Sequence, residues 1–464
     1  MAKFLSKDGK FYMRDGKLLG YTPPPPTLAA NSSWYKGTTD KSNITAIDIK
    51  DSYTPTGTVT EQWNADVNND GSIKSYVEDT KLTIVGNGAG KIMANADSSS
   101  AFNGFSAATS ISGLNLLNTS KVTNMSSMFS YCNKLTSLDV SGFDTSNVTN
   151  MSKMFDMDWM GGKLTYLDVS GWNTSKVVYM DSMFSFCNRL TSLDVSNFDT
   201  SKVTNMSEMF YGVQTLTSLD VSNFDTSNVT DIHSMFRNCS ALTNLNLSGW
   251  NISKVTYMYS MFDGCSALTS LNLSGWDTSN VTYMNQMFRN CSALTSLDVS
   301  NFNTTNVKSM ASVFDNCSAL TSLDVSNFNT SKVTSMMHMF FGCAALTSLD
   351  VSNFDTSKVT DMMQMFYGCK VLTSLNLSGW NTTGVTDMTN MFNGCNKLQS
   401  VTLGTNFKFV GTNGYLPTPS STYISGATGK WYAPNGTDYT PEELAAITHT
   451  LATTYSATPP GEII

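Results

Sequence analysis

Histidine is scarce in this chain of 464 residues. The three that exist, His233, His338 and His449, lie far apart, which leaves little material for a histidine-built zinc site or a histidine-based nucleophilic triad. Glycine-rich phosphate loops, nucleophile elbows and zinc motifs are also missing. No run of about 18 apolar residues exists, so no membrane-inserting segment is expected. Basic runs are absent too, and 28 basic against 36 acidic residues leave a net charge of −8, which argues against nucleic acid as a partner. The opening MAKFLSKDGKFYMRDGK has charges but no apolar core, so a Sec-type export signal is not expected, and no lipidation motif is present.

What is present is repetition. Phenylalanine recurs at Phe129, Phe155, Phe184, Phe210, Phe236, Phe262, Phe288, Phe314, Phe340, Phe366 and Phe392, at intervals of 26 residues except for the 29 between Phe155 and Phe184. The longer interval holds an insert around Trp159, Gly161 and Gly162, read as a bulged loop between coils. One copy, Leu190 to Phe210, reads LTSLDVSNFDTSKVTNMSEMF. Its first half alternates, with Leu193 and Val195 between Ser192 and Asp194, as a short strand with one buried face would. Its second half places Val203, Met206, Met209 and Phe210 on one stripe of a 3.6-residue period, which predicts a short helical turn. Asp199, Thr200 and Ser201 between the halves can cap that turn. Such a coil cannot bury its own apolar face and must stack on its neighbours. The expected fold is an α/β repeat, a leucine-rich-repeat solenoid of residues 114–403. Twelve strands at about 4.8 Å each would make a body roughly 55 Å long.

The LTSLDVSNFDTSKVTNMSxMF unit resembles the BspA-like leucine-rich-repeat family of bacterial surface proteins, in eleven copies. The flanks LTIVGNGAGKIMANADSSSAFNGF and GKWYAPNGTDYTPEELA are similar to that family's end caps. The resemblance implies adhesion or ligand binding by a repeat surface, on a secreted or wall-anchored protein.

Several rows of residues invite a chemical reading. The nine cysteines occupy one equivalent position, three residues after a repeat phenylalanine; this suits neither clustered metal ligands nor a disulfide framework, and reads as a ladder of buried free thiols. Most of the 27 methionines fall on the two stripe positions and read as core rather than copper ligands. The row Phe143, Trp172, Phe198, Phe224, Trp250, Trp276, Phe302, Phe328, Phe354 and Trp380 could stack sugars, but its strict repetition favours a buried spine. The strand's outward row, Asp139, Asp168, Asp194, Asp220, Asp298, Asp324 and Asp350 with Asn246, Asn272 and Asn376, sets like charges side by side, inviting calcium or a basic ligand if it is not simply a solvated face. Asp66, Asn68 and Asp70 with Gly71 begin a calcium-loop pattern, a second place where calcium, the one cofactor expected if any, could bind. Position 12 of that loop is Val77, Glu78 comes one place late, and a polar turn between strands is the competing reading.

The organisation expected is an anchor hairpin (1–22) turning at Asp15-Gly16, a stiff Pro-rich linker (23–31), a β-rich cap (32–113), the solenoid (114–403), and a loop-rich cap and tail (404–464). In the last segment a helix should begin at Thr440-Pro441-Glu442-Glu443, and the terminal SATPPGEII should be disordered. Since recurring positions build the coil, a surface protein or glycan ligand should be recognised where coils differ, with Tyr179, Tyr257, Tyr259 and Tyr283 as anchors. Phe4, Leu5, Phe11 and Tyr12 of the hairpin would dock on a capsid or tail protein by strand addition. The leading expectation is therefore a non-enzymatic, phage virion-associated display protein, made in the cytoplasm with its thiols reduced. The alternative is a bacterial cell-surface adhesin exported by another route, and a glycan-acting enzyme is the remaining class.

Overall fold

The computed structural model describes residues 25–461 except 412, together with the backbone of residues 13–14 and 17–18. Strands β1 (Met13–Arg14) and β2 (Lys17–Leu18) pair antiparallel around positions 15 and 16, Met13 opposite Leu18. Phe4, Leu5, Phe11 and Tyr12 lie outside the described residues. Residues 26–31 are not the free spacer expected of the linker. Thr27 bridges Met93, Leu28 is buried, and Asn31 donates its N–H to the Asp97 carbonyl at 2.8 Å, because an apolar side chain and a row of backbone groups here find partners in the cap.

The N-terminal cap is a five-stranded sheet made of β3 (Ala46–Lys50), β4 (Val59–Asn64), β5 (Lys74–Glu78), β6 (Lys81–Val85) and β8 (Ser110–Ser112), with β7 (Ile92–Met93) outside it. Their order is β4-β5-β6-β3-β8. The alternation of Ile47 and Ile49 around Asp48 buries one face of β3, as the period-2 pattern requires. β3 runs parallel to β6 and β8, whereas β4, β5 and β6 run antiparallel, so pairing changes from the solenoid's parallel mode to hairpins as the stack ends. Coiling starts before Leu114: β7 pairs parallel with β9 (Leu117–Asn118), and Asp97 with Asn124.

From there the chain climbs in parallel coils. The repeat phenylalanines form an unbroken buried column, neighbouring rings 5.7–5.9 Å apart and nearly parallel from Phe129 to Phe392. Stripe methionines such as Met206 and Met209 pack beside it. The aromatic row from Phe143 to Trp380 is buried as well, and the indole N–H groups of Trp172, Trp250 and Trp380 donate to the carbonyls of Val140, Val221 and Val351 at 3.0–3.3 Å. Buried threonines stitch the coils together, as when Thr200 donates to the Asp225 carbonyl at 3.0 Å.

The predicted helical turn is not there. In the coil of Phe210, alternate N–H groups leave for the next coil, from Met206 to the Asp231 carbonyl, Glu208 to His233, Phe210 to Met235 and Gly212 to Arg237, at 2.8–3.0 Å. The N–H groups between them close tight turns, with Met209 donating to Met206, Tyr211 to Glu208 and Val213 to Phe210. Glu208 and Gly212 take left-handed φ values of 57° and 72°, which breaks any helix. A string of tight turns also returns a side chain to the core every third residue, and so imitates the helical stripe. The strand halves are looser than expected: β10 (Ser137–Leu138) pairs with β11 (Tyr166–Leu167) and β12 (Ser374–Leu377) with β13 (Ser400–Leu403), but between these pairs the threonine ladder has bonds of 3.2–3.5 Å. The corresponding bonds on the turn side, Thr204 to Val178 and Thr230 to Thr204, are 3.0 and 2.9 Å. The coils therefore sit wider apart along the strand face.

At the far end β16 (Thr453–Ser456) adds to β13 antiparallel, followed outward by β14 (Trp431–Tyr432) and β15 (Asp438–Tyr439). Helix α1 (Pro441–Ala445) begins at the expected Thr440, whose side chain accepts from Glu443 while Glu443 accepts from the Thr440 N–H. It is the one α-helix among the described residues. The expectation of disorder over SATPPGEII needs correction at its start, residues 462–464 lying outside the described residues: Ser456 lies opposite Ser400, and Ala457 is buried with its N–H on the Gln399 carbonyl, because the last coil needs a partner for its open edge.

All nine cysteines are free and buried, and each Sγ donates to a phenylalanine carbonyl of the preceding coil at 3.1–3.2 Å. Burial pushes the thiols of Cys132, Cys239 and Cys343 up to about 12, and those of Cys187, Cys265, Cys291 and Cys317 up as well. Thiolate being the reactive form, native protein should react with a thiol reagent orders of magnitude more slowly than urea-unfolded protein. Rapid colour development from most of the nine in native buffer would contradict the ladder.

Candidate functional site

The turn side of the coil carries the positions that differ from coil to coil. One row runs along the parallel bridges Asn124, Asn150, Tyr179, Asn205, Asp231, Tyr257 and Tyr283 and resumes at Ser309, Ser335, Asp361 and Asp387. Most coils place an asparagine, aspartate or serine here for a local reason. The side-chain oxygen accepts the N–H two residues on, as Asn205 does from Ser207 at 2.9 Å and Asp361 from Met363 at 3.0 Å. Tyrosine cannot make that bond. Three coils forgo it and present a ring: Tyr179 is 47% exposed, Tyr257 is 43% exposed, and Tyr283 is half-buried.

These expected anchors are only partly brought together. Tyr257 and Tyr283 stack at 5.8 Å and 8°, with the Lys308 ammonium 5.7 Å from the Tyr283 ring. Tyr179 shares the row but stands apart, with Asn205 and Asp231 between. Tyr259 lies on the adjacent row, its ring stacked on His233 at 4.4 Å.

Around His233, burial opposes protonation, but the hydrogen bond to Asp231 (2.7 Å) and the ion pair with Glu208 at 3.8 Å outweigh it and raise the imidazole to about 9. The folded value lies above the unfolded one near 6.5. Its stabilisation is therefore complete below about pH 6.5 and is lost as pH rises through 9. An imidazole proton titration by NMR should show one of the three histidines with a midpoint above 8. In His233→Gln the melting temperature should lie below wild type at pH 6 and converge with it by about pH 10. A midpoint near 6.5 for all three would refute this cluster.

A second variable row, immediately after each phenylalanine, escaped the sequence reading. Here the Arg237 guanidinium lies 5.2 Å over the Tyr211 ring and contacts Asp263 at 3.1 Å, Arg289 reaches Asp315 at 3.5 Å, and Phe341 stacks on Tyr367 at 4.8 Å. The signal was available: aligned on phenylalanine, this position reads serine, aspartate, asparagine, tyrosine, arginine or phenylalanine, whereas the cysteine two places on hardly changes.

The strand face is uniform by comparison. Its aspartates are exposed or half-buried, and Asp139, Asp194, Asp220, Asp298, Asp324 and Asp350 are held below the usual carboxylate range by the serine two residues on, as Asp194 accepts from the Ser196 hydroxyl at 2.7 Å and N–H at 3.0 Å. A groove of about 710 Å³ runs past Asp298, Asp324 and Asp350 there, but its lining repeats from coil to coil. In the calcium candidate, Asp66 is only 2% exposed and accepts the N–H groups of Asp70 (2.8 Å) and Gly71 (3.0 Å), while Asp70 accepts from Ser72. Val77 is buried in β5, and Glu78 binds the Tyr53 hydroxyl and the Gly57 N–H. The donor set folds onto its own turn between β4 and β5 and does not fit a cation loop. Among the described residues no group of three or more His, Cys, Asp or Glu side chains could hold a metal, and no helix is long and apolar enough to cross a membrane.

The repeat matches a family model described as "Mycoplasma protein of unknown function, DUF285", over residues 96–218, 136–240, 212–321 and 289–407. The chain belongs to the DUF285 family. In this DUF285 protein the overlapping matches run from the coil at Asp97 to just beyond β13, so the matched region and the stack of coils coincide. No curated protein matches the chain significantly. Among solved structures it is similar to a leucine-rich repeat protein from Bacteroides ovatus, at 17% identity over 77% of this chain and 87% of that one, with a TM-score of 0.41. A leucine-rich cell surface protein from Faecalibacterium prausnitzii is similar at 18% identity over 72% and 93%, TM-score 0.32. The functional domain of InlJ from Listeria monocytogenes, which includes a cysteine ladder, is similar at 16% over 77% and 81%, TM-score 0.17.

Proposed function

We propose that this DUF285 protein is a non-enzymatic binding protein displayed at a bacterial cell surface, of the BspA-like kind its repeat resembles, and that the turn side of the solenoid meets a protein or glycan ligand. One observation carries the reading: at Tyr179, Tyr257 and Tyr283 a residue that completes a local turn is replaced by an exposed or half-exposed ring that cannot. A stiff aromatic side chain gives contact area at low entropic cost, and that is what a recognition surface needs. Membership of a family described from a bacterium supports the cell surface over a virion. The virion reading drew on reduced thiols and on an anchor in residues 1–22, of which only four backbone positions are described.

Labelled protein would be applied to an array of glycans and extracellular-matrix proteins. In the double variant Tyr257→Asn/Tyr283→Asn, asparagine restores the local bond, so the melting temperature should hold or rise slightly while binding falls about ten-fold or more. Lost stability with binding intact would make the rings packing elements. Antibodies to the native protein should label intact bacteria; labelling confined to virus particles would reinstate the virion reading.

A further inference from the structure

The single break in the repeat stands beside an aspartate that lacks what its equivalents have. In the row after each phenylalanine, Asp263 takes the Arg237 guanidinium of the preceding coil at 3.1 Å, and Asp315 takes Arg289 at 3.5 Å. The first of these guanidiniums is also covered by the Tyr211 ring, which makes an aromatic–guanidinium–carboxylate sandwich within the molecule. Asp156 occupies the same position, but its counterpart in the preceding coil is Ser130, and no ion pair reaches it among the described residues. It is half-buried, and burial pushes its carboxyl up.

Asp156 opens into a cleft of about 340 Å³ where the insert leaves the solenoid. The insert closes on itself, Gly161 donating to the Asp158 carbonyl at 2.9 Å and Gly162 to that of Phe186 at 3.1 Å, and so holds up Trp159, 78% exposed, with Met160 beside it. Trp159, Tyr131 and Phe186 supply aromatic walls, while Asp156 and Asp158 outnumber the one lining cation, Lys153; Glu208, also in the lining, is taken by His233. We infer that this cleft binds an arginine side chain carried on an exposed peptide segment of a partner protein, the guanidinium lying between the Asp156 carboxylate and the aromatic walls as Arg237 lies between Asp263 and Tyr211. This site is separate from the tyrosine row and does not depend on it.

The test is titration of the full chain with N-acetylarginine amide at low salt, followed through the indole N–H resonance of Trp159, which a Trp159→Phe variant identifies. The signal should shift saturably with the arginine amide and not with its uncharged citrulline analogue. Asp156→Asn should weaken binding about ten-fold, and Lys153→Ala, which removes a competing cation, should tighten it. Tightening cannot come from a damaged fold, so the pair of variants keeps the result interpretable. Tyr257→Asn/Tyr283→Asn should leave the titration unchanged. Equal response to citrulline, full binding by Asp156→Asn, or a response to maltotriose in place of arginine would overturn the assignment, the last in favour of a glycan subsite.

Discussion

Replacing Phe262 by alanine should destabilise the solenoid by about 3–5 kcal/mol, the usual cost of emptying a large buried aromatic site. Phe262 is fully buried, with Phe236 at 5.9 Å and Phe288 at 5.7 Å on its two faces and Trp276 at 6.4 Å. The hole cannot close, because the coils above and below are fixed by their own ladders. Since each coil touches only its neighbours, the damage should also divide the array into two cooperative blocks. Urea unfolding followed by circular dichroism should broaden, and hydrogen exchange should accelerate first in the coils of Phe236, Phe262 and Phe288. Phe262→Leu should cost markedly less. A single sharp transition displaced by under about 1 kcal/mol would mean that the column is not the main tie between coils.

Gly113→Ala should be as severe, for a different reason. Gly113 joins β8 to the first full coil at a φ of 75°, and a β-carbon there would sit 2.0 Å from the Ile49 carbonyl oxygen of β3. The left-handed conformation alone costs a side chain about 1–2 kcal/mol. Backbone overlap adds to that, since neither β3 nor the turn can move without breaking the five-stranded sheet. The expected signature is local: exchange protection lost across residues 46–112 while the coils beyond Phe210 keep theirs. Gly171→Ala, at a site with no neighbour within 4 Å, is the matched control and should be nearly neutral. Global unfolding of both variants, or full exchange protection across residues 46–112 in both, would show that the cap is not seated through this glycine.

The coil and its core were legible because burial leaves a period in the sequence whatever the backbone does. Phe210, Met206, Met209 and Leu193 are inside, as their spacing demands, and so are the cysteines. The backbone that delivers them was not legible. Helix and serial turn return a side chain to one side at nearly the same interval, and the deciding fact is that alternate N–H groups bond to the next coil, which one coil's sequence cannot reveal. A clue lay in the residue two places before each phenylalanine, which takes positive φ in every coil and is serine, asparagine, glutamine, glutamate, lysine or histidine but never β-branched. The tyrosines were visible as departures from a consensus. The Arg237–Asp263 and Arg289–Asp315 pairs were not, because their partners lie a whole coil apart and pairing depends on the stacking register. The docking of residues 26–31 and the pairing of β16 likewise rest on partners remote in sequence.

The antiparallel strands that close each end have a further meaning when the molecule is viewed as a polymer. Nearly identical coils added by translation define a filament with no natural length: the last coil offers the same ladder of donors and acceptors as every coil before it, and a second molecule could continue the stack. Reversing strand direction at β5 and at β16 presents a pattern that a parallel coil cannot extend. The caps thus act as chain terminators, and they hold an otherwise open-ended assembly to one finite particle.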